Sequence, residues 1–156
     1  MKKGQSAIFM AFLLLFLLFL GAALTDALFL LERKAYLWQV ISSAALIGAS
    51  EGRDWWAYIE KGEIRLDSPL ACSKAKEEIE KGLGVECECV YSPPSSSSCQ
   101  IYVLEEGGRV DGFPPGSFWE EKEPSVGIYL RYPVRAEITG LEVTISLFAA
   151  GSVASP

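Results

Sequence analysis

The chain predicts an α+β protein in which a long N-terminal helix, transmembrane in its first part and amphipathic in its second, packs on a small antiparallel β-sheet head. Three observations carry this. Ala7 to Leu24 form an unbroken run of 18 apolar residues, and apolar positions then recur at helical spacing as far as Ala49. From Val85 onward the pattern switches to alternation, strongest between Ile128 and Leu147. Four cysteines, Cys72, Cys87, Cys89 and Cys99, fall together in that second part.

An 18-residue helix rises about 27 Å, and Ser6 and Thr25 extend it to about the 30 Å thickness of a hydrocarbon core. A helix satisfies its own amides there, and its Leu and Phe side chains prefer lipid to water. Lys2 and Lys3 favour a cytoplasmic N-terminus and an external remainder. Three fates are open to this stretch. It can be a secretory signal removed near Leu24, where Gly21-Ala22-Ala23 supply small residues. It can be a permanent single-pass anchor. It can also be a prepilin segment, cut before the apolar run and not after it.

Lys2-Lys3-Gly4-Gln5-Ser6-Ala7 favour the third fate. They resemble the class III (prepilin) signal peptides of archaeal type IV pilin-like proteins, with a short basic leader ending in Gly and an uncut apolar helix behind it. The resemblance implies a leader of residues 1–4 and cleavage by a prepilin peptidase between Gly4 and Gln5. It further implies assembly with other pilin subunits through the N-terminal helix. Where the family carries Glu at the fifth mature position this chain has Phe9, a departure that minor subunits accommodate.

Composition narrows the function classes. The 156 residues leave room for the anchor and one modest domain. Net charge is −6 with no basic block beyond the leader, which disfavours nucleic acid as a partner. There is no His, hence neither the commonest general base nor the commonest metal ligand. Asn is also absent, so no N-glycosylation acceptor exists.

Past Asp26, at the outer boundary, and the charged collar Glu32-Arg33-Lys34, the apolar positions Leu30, Leu37, Ile41, Ala44 and Gly48 continue one helical stripe. The long helix is expected to run on through Trp55-Trp56-Ala57-Tyr58-Ile59 to a stop at Gly62. This divides the chain into a transmembrane segment 5–25, a helical continuation 26–62 and an extracellular head 63–156. Ala44, Ala45, Gly48 and Ala49 permit close backbone approach, to the head or to another subunit. Trp55, Trp56 and Tyr58 are expected to fill the junction of helix and head.

Within the head, residues 63–66 read as a short strand. Asp67-Ser68-Pro69 then announce a helix over 70–81, ended by Gly82 and Gly84, with Glu77 and Lys81 as an i,i+4 pair. Residues 85–91 and 99–104 read as a hairpin whose tip is the polar loop from Ser92 to Ser98. C-x₁₄-C-x-C-x₉-C lacks the paired spacing of zinc ribbons, and an even count in an exported head favours two disulfides. Three pairings are open; the hairpin suggests Cys89 with Cys99 and Cys72 with Cys87.

Val110 to Pro124 reads as a long irregular loop carrying Phe113, Phe118 and Trp119. Those rings form either a lid on the sheet or a contact surface. Ile128 to Ile138 and Leu141 to Leu147 form a hairpin turned at Thr139-Gly140, with Pro133 marking an edge or bulge. Ala149 to Pro156 reads as a loose tail. No nucleophile elbow, phosphate loop or metal motif is present, so the reading contains no catalytic residue, no cofactor site and no metal site.

The function expected is therefore structural: a minor subunit of an archaeal type IV pilus-like surface filament, held in the membrane by its helix until assembly. The alternative is a single-pass anchored extracellular domain that binds a ligand through Phe113, Phe118 and Trp119.

Overall fold

The computed structural model describes the backbone of residues 2–93 and 95–153, and side chains from residue 8 onward over the same range. The chain is α+β, with a long N-terminal apolar helix and a small, mostly antiparallel sheet. Among the described residues three helices, α1 (Lys2–Glu51), α2 (Trp55–Lys61) and α3 (Ser68–Leu83), precede six strands. These are β1 (Glu88–Cys89), β2 (Cys99–Leu104), β3 (Gly108–Asp111), β4 (Phe118–Glu121), β5 (Ser125–Arg135) and β6 (Glu142–Ser152). One sheet runs in the order β1-β2-β5-β6, and β3 and β4 form a separate antiparallel pair.

Two compact units emerge. The first holds Met1–Ala35 with Pro133–Thr144; the second holds Tyr36–Tyr132 with Ile145–Pro156. The division between them falls inside α1, and the turn joining β5 to β6 belongs with the first half of the helix.

In the second unit the outer part of α1 buries Leu37, Ile41, Ala44 and Gly48 of the stripe the spacing marks, together with Ala45 and Ala49. The small residues serve close packing inside the unit. A Cβ at Gly48 would stand 2.9 Å from the Ala75 Cβ of α3. One at Gly151 of β6 would stand 2.6 Å from the Ala45 carbonyl carbon. The segment read as a loose tail is thus a strand as far as Ser152, because Ala149, Gly151 and Val153 are drawn into this packing. Residues 154–156 lie outside the described part.

The helix does not continue to Gly62. It ends at Glu51, and Asp54 starts a new one by accepting from the amides of Trp56 (3.0 Å) and Ala57 (3.2 Å). The cause is tertiary: Gly52 is buried against Ala71 of α3, and the Asp67 amide donates to its carbonyl at 2.8 Å. Residues 63–66 supply only an isolated bridge, Arg53 with Leu66, in place of the expected strand. α3 matches its signals, with Asp67 accepting from Leu70 N, Gly84 as the left-handed C-cap at φ 65°, and Lys81 Nζ 2.8 Å from Glu77.

The cysteine-bearing strands overturn the expected hairpin. β1 pairs with β2 in parallel, Glu88 opposite Gln100 and Cys89 opposite Ile101. One residue earlier in that register, Cys87 comes level with Cys99, and these two are bonded across a Cα separation of 4.6 Å. Cys89 bonds to Cys72 of α3 at 6.1 Å. The pairing suggested by an antiparallel hairpin is therefore wrong, because chain direction decides which sulfurs meet. The serine loop is tied down as well. The Gln100 side-chain amide donates to the carbonyls of Ser95 (2.9 Å) and Ser97 (2.8 Å), and Glu88 accepts from both serine hydroxyls.

Candidate functional site

Each residue singled out by the sequence has a definite place. Gly4 and Gln5 lie on the helical path of α1, but their side chains are outside the described residues, so the cleavage site has no structural account. The four cysteines are all bonded.

Phe113, Phe118 and Trp119 do not form one surface. Two of the three belong to β4; Gly112 (φ 82°) and Gly116 (φ 80°) allow a short turn to pair β4 with β3. Alternation along β4 then sends neighbouring rings to opposite faces. Trp119 goes inward with Phe113, which is fully buried and packs against Tyr102, Trp119 and Phe148 at centroid distances of 5.5, 6.0 and 5.9 Å. Gly127 of β5 makes the room, since a Cβ there would sit 2.8 Å from the Trp119 ring. Phe118 alone faces out, 53 % exposed, with the Arg109 guanidinium 4.1 Å above it. The irregular contact loop is corrected to a β-hairpin whose rings are largely core.

The aromatic surface lies elsewhere. α2 has no buried residue: Trp55, Trp56, Tyr58 and Ile59 are all exposed, Trp56 at 74 %. The expectation that these rings fill a junction is wrong. α2 starts anew at Asp54, and its caps hold it without a buried apolar face. Beside it is a cavity of about 260 Å³ lined by Arg53, Asp54, Trp55, Tyr58, Ile64 and Arg65. Arg53 Nε is buried and makes no hydrogen bond among the described residues. The sequence signal for this surface is the run of aromatics next to Arg53-Asp54, which reads as core because the helix break depends on Gly52 meeting Ala71.

Arg65 is committed to structure. Its guanidinium donates to Glu105 at 2.7 Å and stands 3.2 Å from Glu106, while the Ser68 hydroxyl donates to the other Glu105 oxygen at 2.7 Å. These donors, Arg65 foremost, hold the Glu105 carboxyl below its ordinary value near 4.5. A depressed folded-state pKa stabilises above the ordinary value, and that contribution is lost as pH falls through the folded one. Lowering the pH below about 4.5 is expected to reduce the urea midpoint slightly, part of the loss coming from this half-exposed, solvent-screened pair. Glu105→Gln should flatten that part of the pH profile; an unchanged profile would deny the pair a role.

In the first unit the helix from Ile8 to Leu24 is exposed nearly throughout, and it is long and apolar enough to cross a membrane. No protein-family model matches the chain, no curated protein matches it, and no solved structure matches its fold.

Proposed function

We propose that the chain is a minor subunit of an archaeal type IV pilus-like cell-surface filament, kept in the membrane by α1 before assembly. One observation carries the reading. A single continuous helix of 50 residues is bare and apolar from Ile8 to Leu24, and buries a stripe within a globular unit from Leu37 to Ala49. An anchor needs only a span, whereas a subunit helix also contributes to the core of its head. Released from lipid, the same bare surface requires cover, which a bundle of identical helices supplies. The Gly4-Gln5 leader adds the processing signal, and the α+β layout is consistent with a pilin-like one.

A second reading has its own observation. The exposed rings of α2 beside the Arg53 cavity would suit an anchored extracellular domain that binds a ligand. The two separate on processing. Intact mass of the protein from its native membrane is expected to show a chain beginning at Gln5, and Gly4→Val should block both cleavage and filament incorporation. A chain starting at Met1 or Lys2 would leave the anchored domain; one starting near Leu24 would defeat both readings.

A further inference from the structure

The lone acid of the apolar segment is engaged within the first unit. Asp26, only 6 % exposed, accepts from the backbone amides of Ile138 and Thr139 at 2.9 Å each and from the Thr139 hydroxyl at 2.7 Å. The turn is closed further by Ala136 N to Leu141 O (2.8 Å) and Gly140 N to Ala136 O (3.1 Å). Four backbone donors of the β5–β6 tip are therefore satisfied, as is the carboxylate. Its apolar side chains are not covered: Ile138, Leu141 and Val143 are exposed, Leu141 at 65 %. A turn with these four donors satisfied, and with bare apolar side chains set beside the exposed Glu137 and Glu142, suits the boundary between water and lipid.

The helix indicates the level of that boundary. Asp26 lies two residues beyond Leu24, and the next charged side chains along α1 are Glu32, Arg33 and Lys34, about 9 Å further on. Ala7 to Leu31 rises about 37 Å, roughly 7 Å more than a hydrocarbon core. That surplus, with exposed Leu28 and Leu31, is the level at which Asp26 holds the tip. Interfacial segments bury their apolar side chains about 5–10 Å into the headgroup–acyl boundary.

We propose that the β5–β6 tip is a lipid-contacting element: Ile138, Leu141 and Val143 enter the headgroup–acyl boundary of the leaflet from which α1 emerges, and Asp26 positions them there. This rests on α1 spanning the membrane, not on filament assembly. The test uses the full chain in phosphatidylcholine vesicles containing a phosphatidylcholine with a diazirine near the headgroup end of its acyl chain. After photolysis and trypsin, which cuts behind Arg135, label is mapped by mass spectrometry. The expected result is label on residues 138–143 and on the α1 peptide. Asp26→Ala should lower tip labelling several-fold with α1 labelling unchanged, and Asp26→Asn, which keeps an acceptor oxygen, should restore much of it. Labelled α1 with an unlabelled tip overturns the proposal while leaving the membrane reading intact. Unlabelled α1 removes the membrane reading and the proposal together. Cross-linking of the tip to a second copy of the chain, with no lipid adduct, would assign the patch to a subunit contact. Tip labelling that ignores Asp26 would overturn the positioning role.

Discussion

Phe113→Ala is expected to lower the stability of the second unit by about 3–5 kcal/mol, the cost of emptying a fully buried aromatic site. Phe113 is the centre of a ring cluster with Tyr102, Trp119 and Phe148, and Leu104 and Val110 close the same core. The neighbouring strands cannot collapse far into the void, because β2 and β5 are held in ladder register from Cys99 opposite Leu130 to Leu104 opposite Ser125. Domains of this size are stable by only about 5–15 kcal/mol, so the variant should sit close to unfolding at ambient temperature. Phe118→Ala removes an exposed ring and one cation–π contact, about 0.5–1 kcal/mol. Urea unfolding followed by tryptophan fluorescence should separate the two clearly. Similar, mild losses for both would mean that these rings form a contact surface after all.

The second large effect concerns the disulfides. Removing Cys72–Cys89 as a double serine variant should cost about 3 kcal/mol, since it frees a 17-residue loop, and Cys87–Cys99 with 12 residues should cost nearly as much. The bridges act in series. Cys72 is on the buried face of α3, Cys89 and Cys87 flank Glu88, and Cys99 opens β2, so the two-residue strand β1 is stapled on both sides. So short a strand has little ladder of its own. Losing either bridge should release β1 and raise amide exchange in residues 86–90 before the rest of the sheet responds. Peptide mapping without reduction is the direct check: a Cys89–Cys99 linkage would return the antiparallel hairpin and overturn the parallel register.

The sequence by itself determined the elements whose signals are local and repeated. The apolar run and the helical stripe through Leu37, Ile41 and Ala44 specify α1. Asp67, Pro69 and Gly84 bound α3, and alternation from Ile128 to Leu147 specifies the β5–β6 hairpin. Each rests on periodicity or capping chemistry that a few neighbouring residues carry on their own. Only the tertiary structure decided the rest, because it turns on partners far away in the chain. The end of α1 at Glu51 depends on Gly52 meeting Ala71, and without that contact Trp55 to Ile59 continue the helix and read as core. Parallel or antiparallel pairing of the cysteine strands has no signature in their alternation, yet it selects the disulfides. The inward turn of Phe113 and Trp119 needs the space left by Gly127. Asp26 reads as a boundary residue from its position alone; its partners, Ile138 and Thr139, lie 112 and 113 residues away. Local chemistry writes an element into the sequence, whereas register, packing and charge partnership are properties of the folded chain.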